Sequence, residues 1–156
     1  MEISVVECNY SDAKQRLAIT ELINIYIADE MGGGELLSQK EESKLLEELE
    51  RHPKSMVFLA QSGDSFCGML VAFENFSTFK VRPMINIHDV IVKPEYRNKG
   101  VGRKLLEAVI QKGKSNNSCR ITLEVRVDNM NAQHLYKSLG FEATDPDMYY
   151  WRNELH

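Results

Sequence analysis

Apolar and polar residues recur along the chain with two periods, one typical of strands and the other typical of helices. Short apolar or alternating runs predict six strands, at residues 3–8, 56–60, 66–73, 85–92, 120–127 and 148–151. Apolar residues three and four positions apart predict four helices. The first three begin near Asp12, Ser38 and Gly100, and the fourth is marked by Ala132, Leu135, Tyr136 and Leu139. The predicted order of elements is therefore β-α-α-β-β-β-α-β-α-β.

Cap and turn residues mark the ends of these elements. Ser11-Asp12 and Ser38 are predicted helix caps, and residues 32–34, all glycine, are predicted to end the first helix. Residues 75–83 are predicted to form a loop. Helices that follow the strands at residues 85–92 and 120–127 imply an α/β protein, with a mixed sheet and helices on both faces. Because the sequence shows no repeat, low-complexity stretch or linker, residues 1–156 are predicted to form a single domain.

Composition removes several classes of protein from consideration. Apolar residues make up 43% of the chain and charged residues 27%, as in ordinary globular domains. No apolar run could span a bilayer and the N-terminus lacks a signal-peptide pattern, so a cytoplasmic protein with no membrane partner is expected. The net charge of -4 disfavours nucleic-acid binding. The three cysteines are far apart, without a CxxC pair or a Cys/His cluster, so no metal is expected.

A basic turn with two glycines lies between the strand at residues 85–92 and the helix that follows. It reads Arg97-Asn98-Lys99-Gly100-Val101-Gly102, with Arg103 next. A helix start leaves backbone N–H groups without intrahelical partners, and these donors and the helix dipole favour an anion. The turn therefore predicts a pyrophosphate site, although an ordinary surface helix start would have the same composition. It contains neither G-x-G-x-x-G nor a P-loop Gly-Lys-Ser/Thr.

A second motif lies about thirty residues further along the chain. It reads Asn129-Met130-Asn131-Ala132-Gln133-His134-Leu135-Tyr136-Lys137-Ser138-Leu139-Gly140-Phe141. This segment resembles the pattern N-x-x-A-x-x-L-Y-x-x-x-G-F of the GNAT superfamily of N-acetyltransferases, and residues 89–102 resemble the cofactor-binding strand and pyrophosphate loop of that family. The two motifs occur in the right order, and the predicted elements are similar to the family's over nearly the whole chain. Asn98 replaces a frequent glycine, but asparagine tolerates a left-handed backbone.

The resemblance implies that acetyl-CoA is the cosubstrate and that its acetyl group passes directly to a primary amine. In the family the pantetheine arm lies between two splayed strands, like an added strand. The implied cofactor-binding residues are Val90, Ile91, Val92, Arg97, Asn98, Lys99, Gly100, Val101, Gly102, Arg103, Asn129, Ala132 and Tyr136. Two alternatives stay open, namely a catalytically silent acyl-CoA sensor and a phosphate-binding interaction module. A homodimer is compatible with the resemblance.

Tyr136 is the implied general acid that protonates the departing CoA thiolate. Its spacing from Ala132 and Leu135 is also that of a core aromatic residue, so the role rests on the resemblance. Asn129 has two compatible interpretations, as the N-cap of the helix and as a direct contact to the cofactor.

The general base is expected in the strand at residues 85–92. His88 is the first candidate because its side chain is best matched to neutral pH, and Asp89 is the second. Strand alternation predicts that these two side chains face opposite sides of the sheet. Glu124 and Glu30 are the alternative bases.

Acidic residues at the junction of the first two helices suggest the nature of the acceptor. Asp29, Glu30 and Glu35 surround the glycine run, and in the family this junction overhangs the acceptor side of the sheet. Together with Glu124 they predict binding of a small cationic amine. A solvated helix end is the alternative interpretation, and acetylation of a protein amine is the alternative reaction.

Overall fold

The computed structural model describes residues 1–30 and 32–156, which divide into two compact units, residues 1–124 and residues 125–156. The first unit contains, in order, β1 (Ser4–Glu7), α1 (Ala13–Ala28), α2 (Gln39–Arg51), β2 (Ser55–Ser62), β3 (Ser65–Ser77), β4 (Arg82–Val92), a short 3₁₀ turn (Pro94–Tyr96), α3 (Val101–Ser115) and β5 (Ile121–Leu123). The second unit contains α4 (Met130–Ser138). A single domain over residues 1–156 stays a prediction.

The five strands form one mixed sheet in the order β1-β2-β3-β4-β5. The first four strands pair antiparallel, and β5 pairs parallel to β4. This arrangement confirms the predicted α/β class with a mixed sheet. Within the described residues, no helix has the length and apolar character needed to cross a membrane.

Helices cover both faces of the sheet, as the apolar pattern predicts. On one face, α1 and α2 bury a cluster that consists of Ala18, Ile19, Leu22, Leu49, Val57, Leu59, Met69, Val71 and Ile91. On the other face, α3 lies close to β3, where a Cβ at Gly68 would come within 2.8 Å of Val101 Cγ1 and 3.2 Å of Leu105 Cδ1. A larger residue at Gly68 would push the helix away from the sheet, and the two layers would no longer pack.

The predicted starts of the first two helices are confirmed by side-chain caps. Asp12 Oδ1 accepts the N–H of Lys14 at 2.9 Å at the start of α1. Ser38 and Glu41 form a reciprocal capping box at the start of α2. The first helix ends at Ala28, before the glycine run, so the glycines lie in the connection to α2.

The prediction of a loop over residues 75–83 is wrong at both ends. The β3–β4 ladder continues through Asn75↔Met84, Phe76↔Pro83 and Ser77↔Arg82, which leaves a turn of four residues. The polar side chains of Asn75 and Ser77 suggested a loop. Ladder hydrogen bonds are made by the backbone, however, so a strand can contain polar residues, whether exposed like Asn75 or buried like Ser77.

The strand predicted over residues 120–127 is shorter than its apolar alternation suggests. Its pairing with β4 covers Ile85↔Ile121, Asn86↔Thr122 and Ile87↔Leu123. The ladder ends where β4 reaches an irregularity at its next residue, His88. A strand needs a neighbouring strand that supplies backbone hydrogen bonds, so apolar alternation alone does not continue β5 beyond Leu123.

The final strand, predicted at residues 148–151, is wrong. Met148, Tyr149, Tyr150 and Trp151 are 66–89% exposed and belong to no ladder. The second unit, residues 125–156, contains no strand with which this segment could pair. Aromatic residues favour strands through packing on neighbouring strands, and this segment has no such neighbour in its unit.

Candidate active site

A β-bulge interrupts β4 at the candidate base. Val71 of β3 is opposite Asp89, whereas the next residue, Ala72, is opposite Ile87, so His88 is an extra residue in β4. A bulge bends its strand and leaves backbone groups of the extra residue outside the regular ladder. The bulge therefore places an exposed imidazole and a local bend at one point of the central sheet.

Beyond the bulge, β4 becomes an edge strand. Val90 is opposite Leu70, Ile91 is opposite Met69 and Val92 is opposite Gly68, all on the β3 side. The parallel ladder to β5 ends at Ile87, so among the described residues this part of β4 pairs with β3 only. An open strand edge of three residues can accept an extended chain that has amide groups of its own.

The turn after β4 has the backbone conformation that the glycine pattern predicts. Gly100, with φ 85°, caps α3, which begins at Val101. Asn98 also has a positive φ of 59°, which confirms that it accommodates the left-handed conformation. The first N–H groups of α3 therefore point out of the helix next to a turn without a bulky residue at its cap. These donors fit a pyrophosphate.

The basic residues of this turn contact the protein itself. Arg97 donates from Nη2 to Asp29 Oδ2 at 2.8 Å and from Nε to Val92 O at 3.2 Å. Lys99 donates from Nζ to Glu95 O at 2.8 Å. The ion pair joins the end of α1 to the turn before α3. Asp29, which was predicted to bind the acceptor, and Arg97, which was predicted to bind the cofactor, therefore neutralise each other's charge.

His88 and Asp89 lie on the same face of the sheet, and the prediction of opposite faces is wrong. Asp89 is opposite Val71, a core residue on the α1 face, and the His88 ring contacts Phe73, two residues further along β3. The extra residue of the bulge breaks the alternation between neighbours. Burial raises the pKa of the half-buried Asp89 carboxyl above its ordinary value, while the nearby charge of His88 acts in the opposite direction.

The remaining predicted acceptor residues are solvent-exposed. Glu30 and Glu35 flank the glycine run between α1 and α2, and Glu124 follows β5. The segment predicted to bind the acceptor also includes Met31, which lies outside the described residues. Exposed carboxylates attract a cation through long-range electrostatics, which is screened by salt, and not through a fixed contact.

The second unit contains the predicted acid and the asparagine of the second motif. Asn129 Oδ1 accepts the N–H of Ala132 at 3.2 Å, which confirms that Asn129 is the N-cap of α4. One turn after Ala132, the ring of Tyr136 lies 5.9 Å from that of Phe141. Before the helix, Arg126 donates two hydrogen bonds to Asp128, at 3.0 and 2.8 Å, and lowers the pKa of that carboxyl.

Sequence patterns missed two residues near the candidate base. Phe73 lies between the rings of His88 and His52, with centroid distances of 4.6 and 4.9 Å. Phe73 was predicted only as the end of a strand, and no role was predicted for His52. In the β3–β4 hairpin, Phe73 pairs with Asn86, which brings it close to His88. The loop predicted over residues 75–83 left the pairing of the two strands undetermined, so this contact could not be predicted.

Comparison with known proteins assigns the family. The model of the acetyltransferase (GNAT) family matches residues 19–141. The uncharacterized N-acetyltransferase YhfO of Bacillus subtilis (strain 168) is 28% identical over 151 residues, which cover 97% of each chain. The [ribosomal protein bS18]-alanine N-acetyltransferase of Salmonella typhimurium is 31% identical over 99 residues, which cover 60% of this chain and 67% of that protein.

A solved structure supports the fold. An aminoglycoside acetyltransferase from an uncultured soil metagenomic sample superposes with a TM-score of 0.79 at 15% identity, and the match covers 98% of this chain and 97% of that one. At this identity the likeness concerns the fold. The matched family model includes β4, the turn before α3 and the whole of α4. The chain therefore belongs to the GNAT family of acetyltransferases and is an acyltransferase enzyme.

Proposed function

We propose that the protein transfers the acetyl group of acetyl-CoA to the primary amine of a small cationic molecule. The observation that carries the proposal is the sequence of features along β4: a bulge with an exposed imidazole, an open edge of three residues and a turn with outward-pointing N–H groups. These features suit a thioester, a pantetheine arm and a pyrophosphate in the same order.

Residues of the first unit would hold the cosubstrate. The N–H groups between Asn98 and Arg103 would bind the pyrophosphate, and the backbone of Val90 to Val92 would pair with the amides of pantetheine. When bound, acetyl-CoA supplies an acetyl thioester, an acyl group with a thiolate as leaving group. Gly100, which has a positive φ and no side chain, would let the backbone approach the phosphates closely.

Proton transfers would be carried out by His88 and Tyr136. The amine nitrogen attacks the acetyl carbon, so that a C–N bond forms and the C–S bond breaks. His88, directly or through a water molecule, would take a proton from the nitrogen, with Asp89 as the second candidate. Tyr136 would donate its phenol proton to the departing sulfur, a role assigned by its position in the family motif.

The turn before α3 gives the first test. In a Gly102→Glu variant, a carboxylate would stand beside the phosphates, so acetyl-CoA should bind at least tenfold more weakly, about 1.4 kcal/mol. Isothermal calorimetry measures this dissociation constant. Gln111→Glu is the matched control, since it adds the same charge on an exposed position of α3 away from its start. Equal affinities of Gly102→Glu and the control, both folded, would defeat the assignment of the turn.

The acceptor class gives the second test. Asp29 is paired with Arg97, so attraction of a cationic acceptor would depend on Glu30, Glu35 and Glu124. We expect Glu30→Gln to raise the acceptor KM and to leave the KM for acetyl-CoA unchanged. Added salt should also raise the acceptor KM of the unmodified protein, because exposed charges are screened beyond about 8–10 Å near physiological ionic strength.

Glu107→Gln is the control for net charge. Glu107 is exposed on α3, which covers the opposite face of the sheet from α1 and α2. The variant should therefore leave the acceptor KM unchanged. If Glu30→Gln and Glu107→Gln behave alike, and neutral amines react as well as cationic ones at every salt concentration, the acidic junction has no part in binding.

A further inference from the structure

Three aromatic rings from three different elements form a row beside the bulge. The Phe73 ring of β3 lies between two imidazoles, with its centroid 4.6 Å from that of His88 and 4.9 Å from that of His52. The interplanar angles are 53° with His88 and 75° with His52. These distances and tilted geometries are those of favourable aromatic contacts. The row therefore links β4 to the end of α2 through β3.

The two outer members of the row differ in how firmly they are held. His52 is the C-cap of α2, where its N–H donates to Glu48 O, and its Nδ1 accepts the N–H of Lys54 at 3.1 Å. Both the backbone and the ring of His52 are thus fixed by hydrogen bonds. His88 is exposed on the extra residue of the bulge, where the regular ladder does not constrain it.

Phe73 is anchored on the core, between the fixed and the exposed imidazole. It is half-buried and packs against the apolar cluster beneath α1 and α2. Its ring can therefore limit the orientations of the His88 side chain, and the edge of His52 limits those of Phe73. The side chain of an exposed histidine without such a contact would populate three staggered χ1 rotamers, and its ring would flip about χ2.

We propose that Phe73 is a positioning residue, which holds the His88 imidazole in the one orientation that faces the acceptor amine, with His52 as its support. The inference rests on the proposed role of His88 as general base. Proton transfer needs a donor–acceptor distance of about 2.6–3.2 Å, so only one rotamer of the base is productive. If the three χ1 rotamers were equally populated, the fraction of molecules with the productive rotamer would fall about threefold. Free flipping of the ring about χ2 would increase the loss to about sixfold.

A pair of Phe→Leu variants tests the proposal. In Phe73→Leu we expect kcat to fall about threefold to sixfold, with the KM for acetyl-CoA unchanged, because the base loses its orientation. Phe73→Tyr keeps the ring and should restore kcat. Phe66→Leu is the matched control, since Phe66 is a half-buried phenylalanine of the same strand that packs on the same cluster. It should keep the wild-type kcat.

Proton NMR supplies a readout that a merely structural role would not move. The three-bond Hα–Hβ couplings of His88 should report a single χ1 rotamer in the wild type and in Phe66→Leu, and averaged rotamers in Phe73→Leu. If Phe73→Leu fails to fold, His52→Ala removes the exposed support instead. We expect it to average the same couplings and to lower kcat about twofold, as for two equally populated χ1 rotamers.

The outcomes separate this inference from the proposed function. The positioning role alone would be overturned by a large loss of kcat in His88→Gln together with wild-type kcat and single-rotamer His88 couplings in Phe73→Leu. If Phe73→Leu is unfolded, the same result in His52→Ala would overturn it. An equal loss in Phe66→Leu and Phe73→Leu would also overturn it. Wild-type kcat in His88→Gln would instead refute the role of His88 as base.

Discussion

Replacing Tyr136 with phenylalanine should lower kcat by roughly 10²–10⁴, the usual contribution of a general acid. The departing thiolate of CoA needs a proton, and an ordinary thiol has a pKa near 8.5, against about 10 for tyrosine. A phenol is therefore protonated at neutral pH and can supply that proton as the C–S bond breaks. Removal of one oxygen atom removes the donor and leaves the ring that packs near Phe141.

Steady-state kinetics and calorimetry together test this role of Tyr136. The affinity for acetyl-CoA and the melting temperature should stay nearly unchanged in Tyr136→Phe, because the packing of the ring is preserved. Tyr149→Phe is the control, since Tyr149 is an 89% exposed tyrosine of the same unit. Wild-type turnover in Tyr136→Phe would leave Tyr136 with a structural role and would require another proton donor.

Replacing His88 with glutamine should lower kcat at pH 7 by roughly 10²–10⁴, the usual contribution of a general base. An alkyl amine resembles lysine, with a pKa near 10.4, so about one molecule in 2,500 is neutral at pH 7. Bringing the amine to its neutral form costs about 4.6 kcal/mol. Glutamine has a polar side chain of similar length but cannot accept the proton that the amine must lose.

The pH dependence distinguishes loss of the base from a general loss of activity. Without a base, the reaction depends on amine that is already neutral, and this fraction rises about tenfold per pH unit below the pKa of the amine. The activity of His88→Gln should therefore rise steeply between pH 7 and 9, approaching that of the wild type. If His88→Gln keeps the kcat and pH profile of the wild type, the base is another group, and Asp89→Asn is the next variant to measure.

Local chemistry in the sequence was sufficient to predict the helix starts and the turn before α3. Asp12, Ser38 and Asn129 cap their helices because an oxygen-bearing side chain at that position satisfies a backbone N–H. Gly100 and Asn98 adopt positive φ for equally local reasons. Signals of this kind depend on a few consecutive residues, so one sequence contains them in full.

Features that depend on register could not be predicted in this way. The bulge at His88 results from the pairing of β4 with β3 and needs no special residue type, so the prediction that His88 and Asp89 face opposite sides failed. The pairing with β5 ends at Ile87, next to the same bulge, which the apolar alternation over residues 120–127 did not reveal.

Long-range contacts were equally hidden from the sequence. Arg97 and Asp29 form an ion pair across 68 residues, although each was predicted to bind a different ligand. Charge patterns suggest where a residue would act, but they do not tell which opposite charge lies nearest in the fold. The ion pair leaves Glu30, Glu35 and Glu124 as the carboxylates on which cation binding would depend.

The most direct measurement of the central claim is product analysis with acetyl-CoA and a panel of amines. The panel contains a diamine, an amino sugar, an amine with a neutral tail and a peptide that begins with alanine. Free CoA and acetylated amine are quantified together by mass spectrometry. We predict equimolar CoA and N-acetylated product, with the highest kcat/KM for the diamine or amino sugar. Binding of acetyl-CoA without transfer to any amine, or transfer confined to the peptide, would contradict the proposed function.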